Sequence, residues 1–286
     1  MKLIQEVEIG DASTSRVRVG PGLPLAWIVG PCVIEDRNVM GGAAERLKNL
    51  SLKLDVPIVF KSSYQKDNRS SELSYQGPGL EDGLEMLAWI RKEFELPVLS
   101  DVHRVEDMAP AREVLDVIQI PAFLCQQTSL VLAAGRSGKV VNVKKGQFMS
   151  PEGMQSAVGK IERTGNRRIL LTERGAQFGY NSVVADMTSI PIMQEHGYPV
   201  VFDAGHQVRR YGIPSTDPNG SGNREFIPTL LRAGVAAGAN AVFLETHPEP
   251  LEALCDAASQ YPLDRLEELM QKTRDLAELI REQGHA

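Results

Sequence analysis

The strand that most clearly indicates the fold reads Pro57-Ile-Val-Phe-Lys-Ser-Ser63. Its first residues are apolar whichever way their side chains point, so both faces of the strand must be covered by protein. Strands covered on both faces are typical of parallel sheets flanked by helices. The stretch Ala241-Val-Phe-Leu-Glu245 follows the same design. Both predict a parallel sheet whose strands end in polar side chains.

Runs of this kind recur along the chain and alternate with segments of helical spacing, such as Leu80, Leu84, Leu87 and Phe94. About eight β/α units in roughly 250 residues fit a (β/α)8 barrel, or TIM barrel, better than an open doubly wound sheet. The predicted strands are Ala26 to Val33, Pro57 to Ser63, Pro97 to His103, Val117 to Ala122, Val140 to Gly146, Arg168 to Gly175, Pro199 to His206 and Ala241 to Pro248.

The first 24 residues contain two alternating segments, Glu6-Val-Glu-Ile-Gly10 and Arg16-Val-Arg-Val-Gly20. They predict an N-terminal β-hairpin over residues 1–24 that caps the bottom of the barrel. No Gly/Pro/Ser-rich linker divides the chain, so residues 1–286 are expected to form a single barrel domain.

Composition narrows the possible function. With 42% hydrophobic and 24% charged residues, the 286-residue chain is typical of a globular protein. Its 31 basic and 37 acidic residues give a net charge of −6 without long blocks of one sign, which argues against nucleic acid as a partner. No apolar run approaches the roughly 18 residues of a membrane span. The odd number of cysteines, three, and the polar N-terminus favour a cytoplasmic protein.

Three basic residues stand at the ends of predicted strands: Lys61, Lys144 and Arg174. The carboxyl ends of barrel strands share one rim, so these cations are expected to converge there. Rim ion pairs are the simpler interpretation of any one of them. Three cations at one mouth would repel each other unless an anion neutralised them, which indicates a phosphate, a carboxylate or both as ligand. Lys145 should point away by strand alternation.

A second set of residues could hold a metal ion. Cys32, His206 and Glu245 end the first, seventh and eighth predicted strands, which are neighbours in a closed barrel. Asp256 follows the eighth strand and supplies a possible fourth ligand. A mixed set of sulfur, nitrogen and oxygen donors suits a divalent transition metal. A buried free thiol is the alternative interpretation of Cys32.

Other polar and sulfur-containing residues carry less specific signals. Cys125 and Cys255 lack evident ligand neighbours in the sequence and are expected to be buried free thiols. Asp203 is expected to support a metal ligand. His247 shares the alternation parity of Glu245, so both side chains are expected to face the mouth. The polar loops 64–79 and 207–223 are long enough to contact substrate or act as lids.

Several motifs together resemble the 3-deoxy-D-manno-octulosonate 8-phosphate synthase family over about Ile28 to Leu263. The motifs are Gly30-Pro-Cys32, Phe60-Lys-Ser-Ser, Lys66-Asp-Asn-Arg69-Ser-Ser, Ile118-Gln-Ile-Pro-Ala-Phe-Leu-Cys-Gln, Asn142-Val-Lys-Lys-Gly-Gln147-Phe, Leu171-Thr-Glu-Arg-Gly and Phe243-Leu-Glu-Thr-His-Pro-Glu-Pro.

This resemblance implies an aldol-type condensation of phosphoenolpyruvate with D-arabinose 5-phosphate and water, in lipopolysaccharide biosynthesis. A related synthase that uses erythrose 4-phosphate is the alternative. That relative carries Lys-Pro-Arg-Thr-Ser where this chain has Lys66-Asp-Asn-Arg-Ser, so the longer sugar is favoured. The segment Asp203-Ala-Gly-His-Gln-Val-Arg209 departs from the Asp-Ala-Thr-His-Ser-Val-Gln that is common in the family.

The resemblance also implies roles for individual residues and a homotetrameric assembly. Members with cysteine at position 32 depend on a divalent metal, whereas members with asparagine there do not. The implied metal, here Zn, Fe, Mn or Co, is held by Cys32, His206, Glu245 and Asp256. Arg69 and Ser70 are expected to reach the sugar phosphate of a neighbouring subunit. Catalysis is assigned to Cys32, His206, Asp256 and Lys61. The implied phosphoenolpyruvate ligands are Lys66, Gln119, Ala122, Lys144, Arg174 and His206, and the implied arabinose 5-phosphate ligands are Lys61, Asn68, Arg69 and Ser70.

Two other functions remain open at this point. Lys144 in a barrel mouth could form a Schiff base with a carbonyl substrate, as lysine aldolases do. A non-catalytic barrel that senses sugar phosphates is the other possibility.

A metal could orient the sugar aldehyde or activate the attacking water.

Overall fold

Eight parallel strands form a closed barrel in the computed structural model of the chain, which describes residues 2–69, 71–177, 181–214, 217 and 219–283. The ring closes because the last barrel strand, β10 (Ala241–His247), pairs with β9 (Val200–Asp203) on one side and with the first barrel strand, β3 (Ala26–Gly30), on the other. The predicted (β/α)8 barrel is therefore confirmed. Its strands are β3 (Ala26–Gly30), β4 (Ile58–Lys61), β5 (Val98–Asp101), β6 (Val117–Ile120), β7 (Val140–Lys144), β8 (Ile169–Glu173), β9 (Val200–Asp203) and β10 (Ala241–His247).

Strand alternation divides the core into two layers. On β3, Trp27 and Val29 pack in the large cluster between the sheet and the helices, whereas Ala26 and Ile28 belong to a smaller cluster to which all eight barrel strands contribute. The smaller cluster fills the barrel interior. Side chains on both faces are buried, which explains why the strands read as continuous apolar runs.

The N-terminal hairpin pairs β1 (Val7–Ile9) with antiparallel β2 (Val17–Val19). Val7, Ile9, Val17 and Val19 are fully or almost fully buried, and they join the interior cluster of the barrel. The outward residues between them form exposed ion pairs such as that of Arg18 with Glu6. The hairpin thus closes the barrel with its apolar face, as its alternating sequence predicts.

Helices cover the outside of the barrel. The first begins at Asp36, whose carboxylate accepts hydrogen bonds from the backbone N–H groups of Asn38 and Val39 at 2.7 and 3.0 Å. The α-helices are α1 (Arg37–Leu54), α2 (Leu80–Phe94), α3 (Met108–Val114), α4 (Thr128–Arg136), α5 (Gln155–Glu162), α6 (Ser189–Gln194), α7 (Ile227–Ala236) and α8 (Leu266–Glu282). None of the helices among the described residues is sufficiently long and apolar to span a bilayer.

The strands are shorter than their apolar runs. The seventh, predicted to extend to His206, ends at Asp203, and His206 instead begins the 3₁₀ turn His206–Val208. The chain leaves the sheet here because the Asp203 carboxylate accepts a hydrogen bond from the His206 N–H at 3.0 Å. After β10 the chain forms one further short strand, β11 (Tyr261–Pro262), which pairs with the end of β10.

Candidate active site

The inward positions of the barrel change from apolar to polar toward the carboxyl ends of the strands. Two residues beyond the interior residue Val59 stands Lys61, and two beyond Leu99 stands Asp101. Strand alternation therefore places these polar side chains on the same inner face as the core beneath them. The same step of two or four residues from the interior cluster leads to Gln119, Asn142, Lys144, Thr172, Arg174, Asp203 and Glu245.

Lys61, Asp101, Gln119, Lys144, Arg174 and Glu245 of this set line a cavity of about 280 Å³ at that end of the barrel. Cys32 is fully buried at its wall rather than on its surface, and Ser70 lies outside the described residues. The other predicted site residues all line the cavity: Lys61, Lys66, Asn68, Arg69, Gln119, Ala122, Lys144, Arg174, His206, Glu245 and Asp256.

The lining of the cavity carries a net positive charge, although the net charge of the whole chain is negative. Its lining includes six Lys or Arg and four Asp or Glu side chains, a surplus of two positive charges with the histidines neutral, against −6 for the whole chain. A concave, partly apolar wall strengthens the field of such charges because water screens them poorly. The cavity is therefore suited to a small ligand that carries more than one anionic group.

Glu245 and Asp101 hold two of the cations in place. The Glu245 Oε1 atom lies 2.5 Å from the Lys61 Nζ and 3.6 Å from the Lys66 Nζ. Burial would raise the pKa of Glu245, but Lys61 and Lys66 hold it well below its usual range. Burial would likewise lower the pKa of Lys66, yet the Glu245 and Asp101 carboxylates raise it. Both groups are therefore charged.

Asp203 connects Lys144 with His206. Its Oδ2 atom lies 2.6 Å from the Lys144 Nζ and 2.8 Å from the His206 Nδ1. Burial lowers the pKa of His206, only partly opposed by Asp203, so the imidazole is neutral at pH 7. With Nδ1 turned to Asp203, its Nε2 points toward Glu245 and Asp256 at 3.9 and 3.7 Å. A carboxylate behind an imidazole is a common way of orienting a metal-binding histidine.

Two overlapping groups of side chains have a spacing suited to a metal ion. The His206, Glu245 and Asp256 donors lie within 4.8 Å of one another, and so do those of Cys32, Cys255 and Asp256. Burial would raise the pKa of Asp256, but the Arg209 guanidinium holds it below its usual value. Neutral imidazole, ionised carboxylates and thiol sulfur fit a divalent transition metal.

A polar ladder below the mouth fixes the predicted ligand Gln119. Its amide N–H donates to Asp101, and its Oε1 accepts a hydrogen bond of 2.8 Å from the Asn142 amide. The Asn142 Oδ1 in turn accepts a hydrogen bond from the Thr172 hydroxyl at 2.7 Å. The ladder connects β5, β6, β7 and β8 through buried groups, so it holds Gln119 in one orientation.

Comparison with known proteins identifies the family. The sequence profile described as the DAHP synthetase I family matches residues 6–282. The chain belongs to this family.

Several individual proteins are similar to this chain over nearly its whole length. A protein from Geobacter metallireducens named 2-dehydro-3-deoxyphosphooctonate aldolase is 48% identical over 279 residues, which are 98% of this chain and all of the relative. Proteins of the same name from Trichlorobacter lovleyi and Protochlamydia amoebophila are 48% and 50% identical, over 95% and 93% of this chain and 99% and 96% of theirs.

Two residues at the site, Tyr211 and Arg209, are not predicted by the sequence analysis. Tyr211 lines the cavity, and its hydroxyl accepts hydrogen bonds of 2.9 Å from both the Arg174 guanidinium and the Gln147 amide. Burial would raise the pKa of Tyr211, but Arg174 lowers it. Arg209 donates to the Asp256 Oδ2 at 2.7 Å. Only the unusual segment after Asp203 hinted at either residue.

Cys255 is a buried free thiol, as expected, but its sulfur lies beside that of Cys32, a neighbour that the sequence did not indicate. The predicted position of His247 is wrong. His247 does not line the cavity; its Nε2 lies 3.4 Å from the Glu35 carboxylate. The last side chain of β10 that lines the cavity is that of Glu245, two residues before His247.

The expected orientation of Lys145 is confirmed. Its Nζ lies 3.5 Å from the Glu173 Oε2 and donates to the Gly175 carbonyl at 3.2 Å, away from the cavity. The Arg69 side chain lines the cavity of its own chain. Its guanidinium donates to the Cys255 Sγ and to the Leu254 carbonyl, at 2.8 and 3.3 Å.

Proposed function

We propose that the chain condenses phosphoenolpyruvate with D-arabinose 5-phosphate and water, and that it releases 3-deoxy-D-manno-octulosonate 8-phosphate and inorganic phosphate. The observation that carries this proposal is the 45–50% identity, over almost the full length, to proteins named 2-dehydro-3-deoxyphosphooctonate aldolase. The positive cavity at the mouth of the barrel supports it independently. The reaction serves lipopolysaccharide biosynthesis, and the three free cysteines support a cytoplasmic location.

Phosphoenolpyruvate carries a carboxylate and a phosphate, so it needs several cations within a small volume. Lys66, Lys144 and Arg174 provide three around one cavity. Lys144 ends β7 and Arg174 directly follows the adjacent strand β8, and Gln119 is oriented by its ladder. We assign phosphoenolpyruvate to Lys66, Gln119, Ala122, Lys144, Arg174 and His206.

We assign arabinose 5-phosphate to the other side of the mouth, where Lys61, Asn68 and Arg69 lie, with Ser70 as a further predicted ligand. A guanidinium offers two parallel N–H groups to a phosphate, which a lysine cannot do. In the structure Arg69 donates to the Cys255 sulfur and to the Leu254 carbonyl. Binding of the sugar phosphate would therefore require Arg69 to exchange these contacts for phosphate oxygens.

The residues that would hold a divalent metal are Cys32, His206, Glu245 and Asp256. A metal ion at this position supplies Lewis acidity, for the sugar aldehyde or for water. The protein contributes the orientation of the ligands: Asp203 fixes the His206 ring and Arg209 fixes Asp256. Zn, Fe, Mn and Co are all compatible with the mixed donor set.

The chemical balance of the reaction determines what the side chains must do. A carbon–carbon bond forms between the methylene carbon of phosphoenolpyruvate and the aldehyde carbon of the sugar. Water adds to the carbon that bears the phosphate, and inorganic phosphate leaves. Negative charge develops on the former aldehyde oxygen, next to the cations Lys61 and Lys66, which the Glu245 carboxylate holds in place before substrate arrives.

Phosphate release tests the proposal. We expect release only when phosphoenolpyruvate and arabinose 5-phosphate are present together, with a product of the mass of the eight-carbon sugar acid phosphate. A barrel that only senses sugar phosphates would release none. A lysine aldolase would be trapped by borohydride as a covalent adduct on Lys144, whereas we expect no adduct, because Lys144 is paired with Asp203 at 2.6 Å.

We also propose a homotetramer, on the basis of the resemblance. Sedimentation of the purified chain tests this assembly. Because Arg69 lines the cavity of its own chain, we propose that the sugar phosphate site does not depend on a neighbouring subunit for Arg69.

A further inference from the structure

Two cysteines that are 223 positions apart in the sequence meet at one wall of the cavity. Cys32 follows β3, and Cys255 lies in the segment between β10 and β11. Their sulfur atoms lie within 4.8 Å of each other, and both residues are at most 1% exposed. We propose that Cys32 and Cys255 form a reversible disulfide under oxidising conditions, and that this bond withdraws Cys32 from metal binding.

One side chain fixes the backbones of both cysteines. The Gln260 Oε1 accepts a hydrogen bond of 3.2 Å from the Cys32 N–H, while its Nε2 donates to the Cys255 carbonyl at 2.9 Å. Gln260 therefore keeps the two residues adjacent. Neither cysteine is part of a helix or of a named strand, so no helix or strand hydrogen bonds of their own have to break when the sulfurs approach to the roughly 2.05 Å of a disulfide.

Access to the two sulfurs is unequal. Cys255 lines the cavity, whereas Cys32 lies behind its surface. The Arg69 guanidinium donates to the Cys255 Sγ at 2.8 Å, which places a cation beside that sulfur. A small hydroperoxide that enters the cavity therefore meets Cys255 first and Cys32 second.

The chemistry needs only hydrogen peroxide as oxidant. In the first step the Cys255 sulfur attacks a peroxide oxygen, the O–O bond breaks, water leaves and a sulfenic acid forms. In the second step the Cys32 sulfur attacks the Cys255 sulfur, the S–O bond breaks, and the hydroxyl leaves as water with the Cys32 proton. The two thiols lose two electrons in total, and the peroxide gains them.

Formation of the disulfide would reduce metal binding. A sulfur that is bonded in a disulfide is no longer available as a thiolate ligand. This consequence rests on the proposed metal site, whereas the disulfide itself rests only on the two adjacent thiols. The third cysteine, Cys125, provides an internal control: it is also 1% exposed but belongs neither to the described metal-spaced groups nor to the cavity lining.

The test uses the full-length, metal-free protein treated with hydrogen peroxide. We expect the thiols, counted after unfolding, to fall from three to one, and peptide mapping to link Cys32 to Cys255. Dithiothreitol should restore all three. The Cys125→Ser variant should form the same bond, and the Cys255→Ser variant should form none. Oxidation of the wild-type protein that yields only sulfinic acid, or a link to Cys125, would overturn the proposal.

A second arm tests the competition with metal by a readout other than activity. At a free metal concentration of roughly 100 times Kd, disulfide formation should be about a hundredfold slower, because only the metal-free fraction reacts. Equal rates with and without metal would overturn the competition while leaving the mapped disulfide in place. Failure of the disulfide is thus distinguished from failure of the metal site.

Discussion

Replacing Lys61 with methionine should destabilise the protein, because the Glu245 carboxylate would stay buried without its partner. Lys61 and Glu245 form an ion pair of 2.5 Å in which the side chains are only 1% and 2% exposed. Removing one partner of a buried pair typically costs about 3 to 5 kcal/mol, because the other charge stays buried. Lys66, at 3.6 Å from the same oxygen, offsets part of the cost, so we expect about 3 kcal/mol at pH 7.

The destabilisation should depend on pH with a definite sign. In the wild-type protein Lys61 and Lys66 depress the pKa of Glu245, so its stabilising contribution is present above the unfolded value of about 4.3 and is lost as pH falls. Without Lys61, burial favours the protonated acid. The deficit of the variant relative to the wild-type protein should therefore be large at pH 7 and much smaller near pH 4.

Urea unfolding of the metal-free proteins at several pH values measures this difference. Lys53→Met is the matched control: Lys53 also pairs with a glutamate, at 2.6 Å from Glu267, but its side chain is 63% exposed. An exposed pair contributes about 0 to 1 kcal/mol. Equal losses in the two variants, or a Lys61→Met deficit that does not change with pH, would refute the electrostatic account of the site.

Three further predictions concern binding. Arg69→Ala should reduce kcat/KM for arabinose 5-phosphate by about 10- to 100-fold while KM for phosphoenolpyruvate changes little, because a charged hydrogen bond contributes about 1.5 to 3 kcal/mol; equal effects on both substrates would make Arg69 structural. Cys32→Ala should lose both bound metal, measured by elemental analysis, and turnover. Cys32→Asn should keep some turnover that resists chelator. Full turnover by metal-free Cys32→Ala would contradict the ligand assignment. Tyr211→Phe should raise KM for phosphoenolpyruvate about fivefold, through loss of about 1 kcal/mol of support for Arg174, and leave KM for the sugar phosphate unchanged. A change confined to the sugar phosphate would contradict the position assigned to Tyr211.

Strand alternation explains why so much of the site could be predicted. Lys61, Lys144 and Glu245 stand an even number of residues beyond interior core positions, so their direction follows from the sequence once the strands are recognised. The same rule places Lys145 outside the mouth. These predictions need only local geometry and the closure of the barrel.

The residues that were missed depend on loops rather than on strands. Cys255 reaches Cys32 because the segment after β10 folds back, with Asp256 in a left-handed conformation at φ 50°, and Gln260 holds it there. Nothing in the local pattern around Cys255 specifies that turn. Tyr211 likewise meets Arg174 only through the path of the loop after β9. Loop paths depend on long-range contacts, which periodicity does not reveal.

The most direct test of the central claim compares two sugar phosphates as partners for phosphoenolpyruvate. We expect kcat/KM, from phosphate release, to be higher with arabinose 5-phosphate than with erythrose 4-phosphate. Chelator should abolish turnover with either sugar, and a divalent transition metal should restore it. Equal or reversed preference would contradict the assigned substrate, and full turnover by protein shown to be metal-free would contradict the role assigned to Cys32, His206, Glu245 and Asp256.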